Sequence, residues 1–259
     1  MKLIDTHCHV YDEAFRDDLP DVINRAVEAG LECLLLPNIN PDSLADLLRV
    51  CDTWPSLCRP MIGLHPEDLG DDFHAQLAGL KAALDEDKGQ RYIGIGETGL
   101  DLYWDKTRLA DQIESFRIQI EWALEYDLPI VIHSRDSFTE LYGVMSDYRN
   151  SSLRGIFHCF CGDAHEAEAL MEFSRFMFGI GGVITYKKSV LPSVLPLIPM
   201  ERVVLETDCP YLPPVPFRGK RNEPSYIVYT ANAVAQAYGC TVSEVAAVTC
   251  ANACRLFRL

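Results

Sequence analysis

The chain has 259 residues, 48% of them apolar, and carries 23 basic against 38 acidic side chains, a net charge of −15. So acidic a chain has no global field to attract nucleic acid, and a polyanionic substrate would need local cations or bound metals. No apolar run approaches the roughly 18 residues of a membrane span and no basic-then-apolar leader is present, while ten cysteines without a Cys-x-x-Cys pair argue against a zinc ribbon and for a reducing, cytoplasmic setting.

In chain order, the apolar run 2–4 reads as a strand that leads straight into Asp5-Thr6-His7-Cys8-His9. Alternation in extended backbone puts His7 and His9 on one side and Cys8 on the other. Residues 21–29 read as a helix stopped by Gly30, and 31–36 as a strand buried on both faces and ended by Pro37. A helix over 42–51 precedes a strand over 59–64, which ends in His65. A helix over 73–84 precedes a strand over 92–96, which ends in Glu97-Thr98-Gly99-Leu100-Asp101. Leu109, Ile113, Phe116, Ile120 and Ala123 recur at steps of four and three, the signature of one helical face. Then come a strand over 129–132 closed by His133-Ser134-Arg135, a helix over 138–148, and a strand over 155–157 ended by His158. A helix over 164–173, a strand over 176–180, a proline-marked connection over 190–197 and a strand over 202–205 ended by Glu206-Thr207-Asp208 follow. Helices over 224–238 and 242–257 finish the chain, the second opened by the capping box Thr241-x-x-Glu244.

Eight strand–helix alternations predict a (β/α)8 TIM barrel, taken as one domain over 1–259, with an open doubly wound sheet as the runner-up. In such a barrel the C-terminal strand ends converge on one mouth. Five of the seven histidines fall at those ends (His7, His9, His65, His133 and His158), together with Glu97 and Asp208, whereas His74 and His165 fall in helices and are expected to be solvated. Four imidazoles (all but His65) and two carboxylates exceed what one ion needs, so two divalent ions are expected, with Glu97 as the bridging carboxylate. Mixed nitrogen and oxygen donors fit Mg, Mn, Zn, Fe or Ni without choosing among them.

These motifs together resemble the TatD-type deoxyribonucleases, a metal-dependent branch of the amidohydrolase superfamily. The resemblance rests on His7-x-His9, Gly96 to Asp101, His133-Ser134-Arg135, His158-Cys159-Phe160, Glu206-Thr207-Asp208, Arg218 to Pro224, and Asn252-Ala253-x-Arg255-Leu256-Phe257. It spans essentially the whole chain. It implies a barrel, a divalent metal centre and 3′-to-5′ exonuclease or phosphodiesterase activity on DNA. It further implies that His7, His9 and Asp208 hold one ion and His133 and His158 the other, with Glu97 between, and that Asp208 is the general base. No lysine stands at a strand end, which leaves no candidate for a carbamylated-lysine bridge.

Other roles stay open at this point. Glu206 would share a face with Asp208 in a regular strand, where it either binds a further ion, orients substrate or supports a histidine. His65 either donates to the phosphate or leaving group or is a wall residue. Arg135, Arg218, Lys220 and Arg221 are the candidate phosphate holders, against a plain solvated run for the last three. Tyr103 and Trp104 either stack bases or pack in the core. The expected working form is a monomer with DNA as substrate and no membrane partner. The rival functions are a small-molecule amide or ester hydrolase using the same centre, and a metal- or partner-binding protein without catalysis.

Overall fold

The computed structural model describes residues 1–86, 88 and 90–259. Its strands are β1 (Leu3–Asp5), β2 (Leu31–Leu36), β3 (Cys58–Pro60), β4 (Ile95–Asp101), β5 (Ile130–Arg135), β6 (Gly155–Phe157), β7 (Phe176–Ile180) and β8 (Val203–Leu205). Its helices are α1 (Leu19–Glu28), α2 (Leu44–Thr53), α3 (Phe73–Glu86), α4 (Leu109–Glu125), α5 (Phe138–Ser146), α6 (Ala164–Met171), α7 (Leu191–Val194), α8 (Ile227–Tyr238) and α9 (Val242–Phe257).

All strand pairs are parallel and follow chain order, β1-β2-β3 in one sheet and β4 through β8 in another. Two seams join the sheets. At one, Ile62 bridges Ile95, with Gly96 N donating to Ile62 O at 2.8 Å. At the other, Thr6 N donates to Leu205 O at 3.0 Å and Asp208 N to His7 O at 2.9 Å. The sheet therefore closes on itself as the predicted barrel.

Two apolar layers follow from strand alternation. Ile4, Cys33, Leu35, Met61, Val131, Ile156, Met177 and Val204 point inward and fill the barrel. Ala253, Leu256 and Phe257 of α9 join them and plug the end where the strands begin. The alternate residues, such as Leu34, Leu36, Ile130, Ile132, Phe157 and Phe178, pack outward under the helices. Both strand faces are thus dry, which is why β2 and β7 read as almost unbroken apolar runs. The capping box on α9 forms as expected, with Thr241 Oγ1 accepting from Glu244 N.

The expected strand bounds fail at β3 and β4. Regular pairing of β3 ends at Pro60, followed only by the bridge at Ile62, whereas β4 continues through Asp101. Glu97, Thr98 and Asp101 look like the residues of a loop, yet Gly99, Leu100 and Asp101 pair with His133, Ser134 and Arg135. Their polar side chains belong to the mouth, so polarity there does not mark the end of the strand. The register shifts between Ile95 and Thr98. Such an irregularity re-aims a side chain, and here Glu97 turns to the barrel axis while its N–H donates to Asn38 O at 2.8 Å.

Helix α4 carries a feature absent from its apolar stripe. Gln112 and Gln119, one heptad apart, are both buried. Gln119 accepts from Leu64 N at 2.8 Å and donates to Leu64 O at 3.0 Å. Gln112 does the same for Asp101, at 2.9 Å each way. A primary amide can satisfy one backbone N–H and C=O at once, so α4 pins the segment after β3, next to His65, and the end of β4 at Asp101.

Candidate metal centre

The barrel mouth encloses a cavity of about 640 Å³. His9, His65, Glu97, His133, His158 and Asp208 line it, with His7 fully buried directly beneath. All seven residues expected at the strand ends therefore meet, and His74 and His165 are exposed on helices as anticipated. Although β1 ends at Asp5 and the chain bends at Thr6 and His7, the side chains keep alternating. Cys8 packs into the outer layer while His7 Nε2 and His9 Nε2 come within 3.0 Å of each other.

Glu97 is the hub. Its Oε2 lies 3.1 Å from His7 Nε2 and 3.6 Å from His9 Nε2. Its Oε1 lies 3.0 Å from His133 Nδ1, 3.4 Å from His65 Nε2 and 3.6 Å from His158 Nε2. Asp208 Oδ1 stands on the first side, 3.7 and 3.6 Å from the Nε2 atoms of His7 and His9, and 3.8 Å from His158 Nε2.

Polar partners on the far side of His9, His133, His158 and His65 fix which nitrogen faces inward, whereas the buried His7 Nδ1 has no hydrogen-bond partner among the described residues. Tyr11 donates its hydroxyl to Pro37 O at 2.6 Å, so it accepts from His9 Nδ1 at 2.9 Å, and His9 Nε2 presents a lone pair. His158 Nδ1 lies 3.1 Å from Glu206 Oε1, and His133 Nε2 2.8 Å from Asp101 Oδ2, which again leaves the inward nitrogen as the donor to the centre. His65 is the reverse case. Its Nδ1 accepts from Glu67 N at 3.2 Å, so its Nε2 carries the proton toward the cavity.

Inward lone pairs as close as those of His7 and His9 repel unless a cation or a proton lies between them. A metal–nitrogen bond of about 2.0–2.1 Å separates two tetrahedral ligands by about 3.3 Å, close to the spacing seen. His7, His9 and Asp208 form one group of atoms near enough to share an ion; His7, Glu97 and His158 form another, and His65, Glu97 and His133 a third. The donor set fits divalent metal ions.

Electrostatics agree. Burial and the neighbouring charge of His158 push His7 down to about 4, so it stays neutral. Burial also opposes protonation of His133, but Asp101 and Glu97 prevail and raise it to about 9. Glu206 and Glu97 likewise overcome burial at His158 and raise it to about 10. Burial works to raise Glu97 and Asp208, and the surrounding imidazoles outweigh it and hold both carboxyls below their usual range. Asp5, buried beneath the site against Thr207, is raised by burial to about 8.

Two sequence readings need correction. Glu206 does not line the cavity. The strand stops at Leu205 and Asp208 takes a left-handed φ of 58°, so regular alternation does not carry from Glu206 to Asp208. Glu206 is fully buried behind His158, and its Oε1 also accepts from Cys159 N at 2.6 Å. No group of potential ligands among the described residues includes it, so the further ion has no support there. Gly179 makes the room, since a Cβ there would meet Glu206 Oε2 at 2.2 Å.

The second correction concerns the cationic run. Arg135 lines the cavity, but Arg218, Lys220 and Arg221 do not. Arg221 makes a two-pronged pair with Asp18, 2.7 Å on each side, and covers the Phe15 ring. Arg218 lies 4.1 Å over Tyr186. The segment is a brace: Asn222 donates to Thr207 O and Tyr211 O at 2.8 and 2.7 Å, and Glu223 is tied to Arg25 of α1. It supports Asp208 from behind.

Tyr11, Asp101, Gln112, Gln119 and Asn222 were missed as site-building residues. Asp101 and Asn222 have a signal, their places in the motifs Gly96 to Asp101 and Arg218 to Pro224.

The TatD-related DNase family model matches residues 4–258. The uncharacterized metal-dependent hydrolase YabD of Bacillus subtilis (strain 168) is 38% identical over 258 residues, 99% of this chain and 99% of that protein. The 3′-5′ ssDNA/RNA exonuclease TatD of Edwardsiella piscicida is 28% identical, over 99% of this chain and 100% of that protein. Among solved structures, the TatD homologue YJJV from Escherichia coli K12 matches with a TM-score of 0.92 at 28% identity, covering 99% of this chain and 98% of the other.

Proposed function

The chain belongs to the TatD-related DNase family, metal-dependent hydrolases of the amidohydrolase superfamily, and on that premise we propose that it hydrolyses DNA phosphodiester bonds, as a 3′-to-5′ exonuclease on single-stranded or frayed ends. One observation carries the reading. Glu97 offers one oxygen to His7 and His9 and the other to His133 and His158. A carboxylate shared between two imidazole sets suits a pair of divalent ions, the arrangement that favours phosphodiester cleavage. His7, His9 and Asp208 would hold one ion, His133 and His158 the other, with Glu97 between. Bound there, the ions would polarise the phosphate and lower the pKa of the attacking water.

The side chains divide the remaining work. Asp208 takes the proton of the water that attacks phosphorus. The bond from phosphorus to the leaving oxygen breaks, and the proton on Asp208 becomes available to that oxygen. His65 presents its Nε2–H to a phosphate oxygen, the tautomer that Glu67 N enforces. Tyr11, Asp101 and Glu206 keep the ligand rings oriented.

A second reading, hydrolysis of a small amide or lactone, is favoured by the cavity wall. Asp12, Glu67 and Asp68 line it, and Arg135 is the one arginine or lysine among the described lining residues. End-labelled single-stranded DNA, incubated with a panel of divalent ions beside small amides and lactones, separates the two. Stepwise shortening from the 3′ end supports the nuclease; turnover confined to the small substrates overturns it.

A further inference from the structure

Trp104 keeps 67% of its surface exposed and Tyr103 keeps 51%, on the loop that follows β4. Trp104 and Arg135 both line the cavity. An indole left this open at the cavity rim keeps a large apolar face free for an aromatic ligand. The loop is held to the centre. Leu102 N donates to Arg135 O at 2.9 Å, and Tyr103 N donates to Asp101 Oδ1 at 2.9 Å. The other oxygen of Asp101 lies 2.8 Å from His133 Nε2. One carboxylate thus couples the aromatic loop to a proposed metal ligand.

The three side chains make a graded surface. The Arg135 guanidinium sits 3.8 Å over the Tyr103 ring, and the Trp104 ring meets Tyr103 edge-on at 4.8 Å and 90°. Stacking takes one face of Arg135 and sets its plane. Among the described residues no carboxylate lies within ion-pair distance of it and no acceptor takes a hydrogen bond from its guanidinium, although its charge reaches Glu67 across the cavity wall. Arg221 of the expected cationic run differs in this respect, being committed to Asp18.

We propose that Trp104 and Arg135 form a nucleotide subsite on the rim of the cavity, with Trp104 stacking one base and Arg135 holding the adjacent phosphate. The proposal rests on the nuclease reading and adds the surface that engages the strand beyond the scissile bond. Stacking is indifferent to base identity, because every base has a π-face. The subsite selects unpaired nucleotides, whose bases are free to stack, without selecting sequence.

The test uses two single-stranded oligonucleotides of equal length, one natural and one with abasic sugars at its last positions. Trp104→Ala should lower kcat/KM on the natural strand about 5- to 150-fold, the factor one stacked base contributes, and change the abasic strand less than twofold. Arg135→Ala should raise KM on both strands and flatten the salt dependence of kcat/KM by about 0.7 in log–log slope. Binding is read separately from turnover. A short oligo-dT strand in chelator should quench the tryptophan fluorescence of the wild type and not that of Trp104→Ala. Equal effects of Trp104→Ala on the two strands, or undiminished quenching in that variant, overturn the subsite. Quenching that depends on Trp104, with no DNA turnover under any ion, overturns the nuclease reading and leaves the subsite standing.

Discussion

Asp208→Asn separates the two tasks given to one carboxylate. Asparagine keeps a ligating oxygen but accepts no proton at neutral pH. Turnover at saturating metal should fall about 10² to 10⁴-fold, the usual worth of a positioned base, with metal content measured on the same samples. Near-normal turnover at full occupancy would assign the proton elsewhere. Glu206→Gln addresses a different residue-level role. The Glu206 carboxylate holds the Nδ1 side of His158 from a fully buried position. Its loss should weaken metal binding about 10- to 100-fold, typical for a partner behind a ligand, and excess ion should restore much of the activity. A chelator competition titration reads this directly; unchanged affinity would reduce Glu206 to packing.

At the scale of elements, the site is held by contacts that do not themselves touch substrate. Gln119→Met keeps the volume and removes both hydrogen bonds to Leu64. Each buried group left unpaired costs about 1–3 kcal/mol, so denaturant unfolding should show a clear loss of stability. An unaltered midpoint would mean that water replaces the amide. Arg221→Ala tests the brace formed by 218–224. The Asp18 pair is partly exposed, which limits it to about 1 kcal/mol or less, a fall of about 2–4 °C in Tm, with KM for DNA unchanged. A large rise in KM at constant Tm would return Arg221 to the substrate. The run Arg218-Gly219-Lys220-Arg221 reads as a phosphate site because composition shows charge and not partners; Asp18 and Phe15, which engage Arg221, lie some two hundred residues away in sequence.

For the whole molecule, the apolar barrel and the metal centre are separable. The interior is filled from Ile4 to Val204 and sealed by α9, so chelation should abolish hydrolysis and leave the far-UV circular dichroism intact. Simultaneous loss of both would show that the ions are structural. The pH dependence follows from His133 and His158, raised from an ordinary 6.5 to about 9 and about 10. A raised imidazole contributes stability that is full below about 6.5 and lost as pH rises through the folded value. Metal-free protein should therefore lose Tm from pH 7 toward 10. Ions must displace those protons, so the Tm gain on adding a divalent ion should grow across the same window. A gain independent of pH would mean that neither histidine is a ligand.

The barrel and its mouth are legible in the order of residues along the chain. Buried parallel strands must be apolar on both faces, so each polar residue that ends such a run, from His7 to Asp208, stands out against its neighbours. Local order along the chain also placed Cys8 opposite the two histidines. Tertiary structure alone decided the rest. The extension of β4 past Glu97 depends on pairing with β5. The retreat of Glu206 behind His158 depends on the left-handed turn at Asp208 and the space beside Gly179. The inward nitrogens of His9, His133 and His65 depend on Tyr11, Asp101 and Glu67. Those outcomes rest on which atoms meet across the fold, and a side chain's partner is not encoded in its own type or spacing.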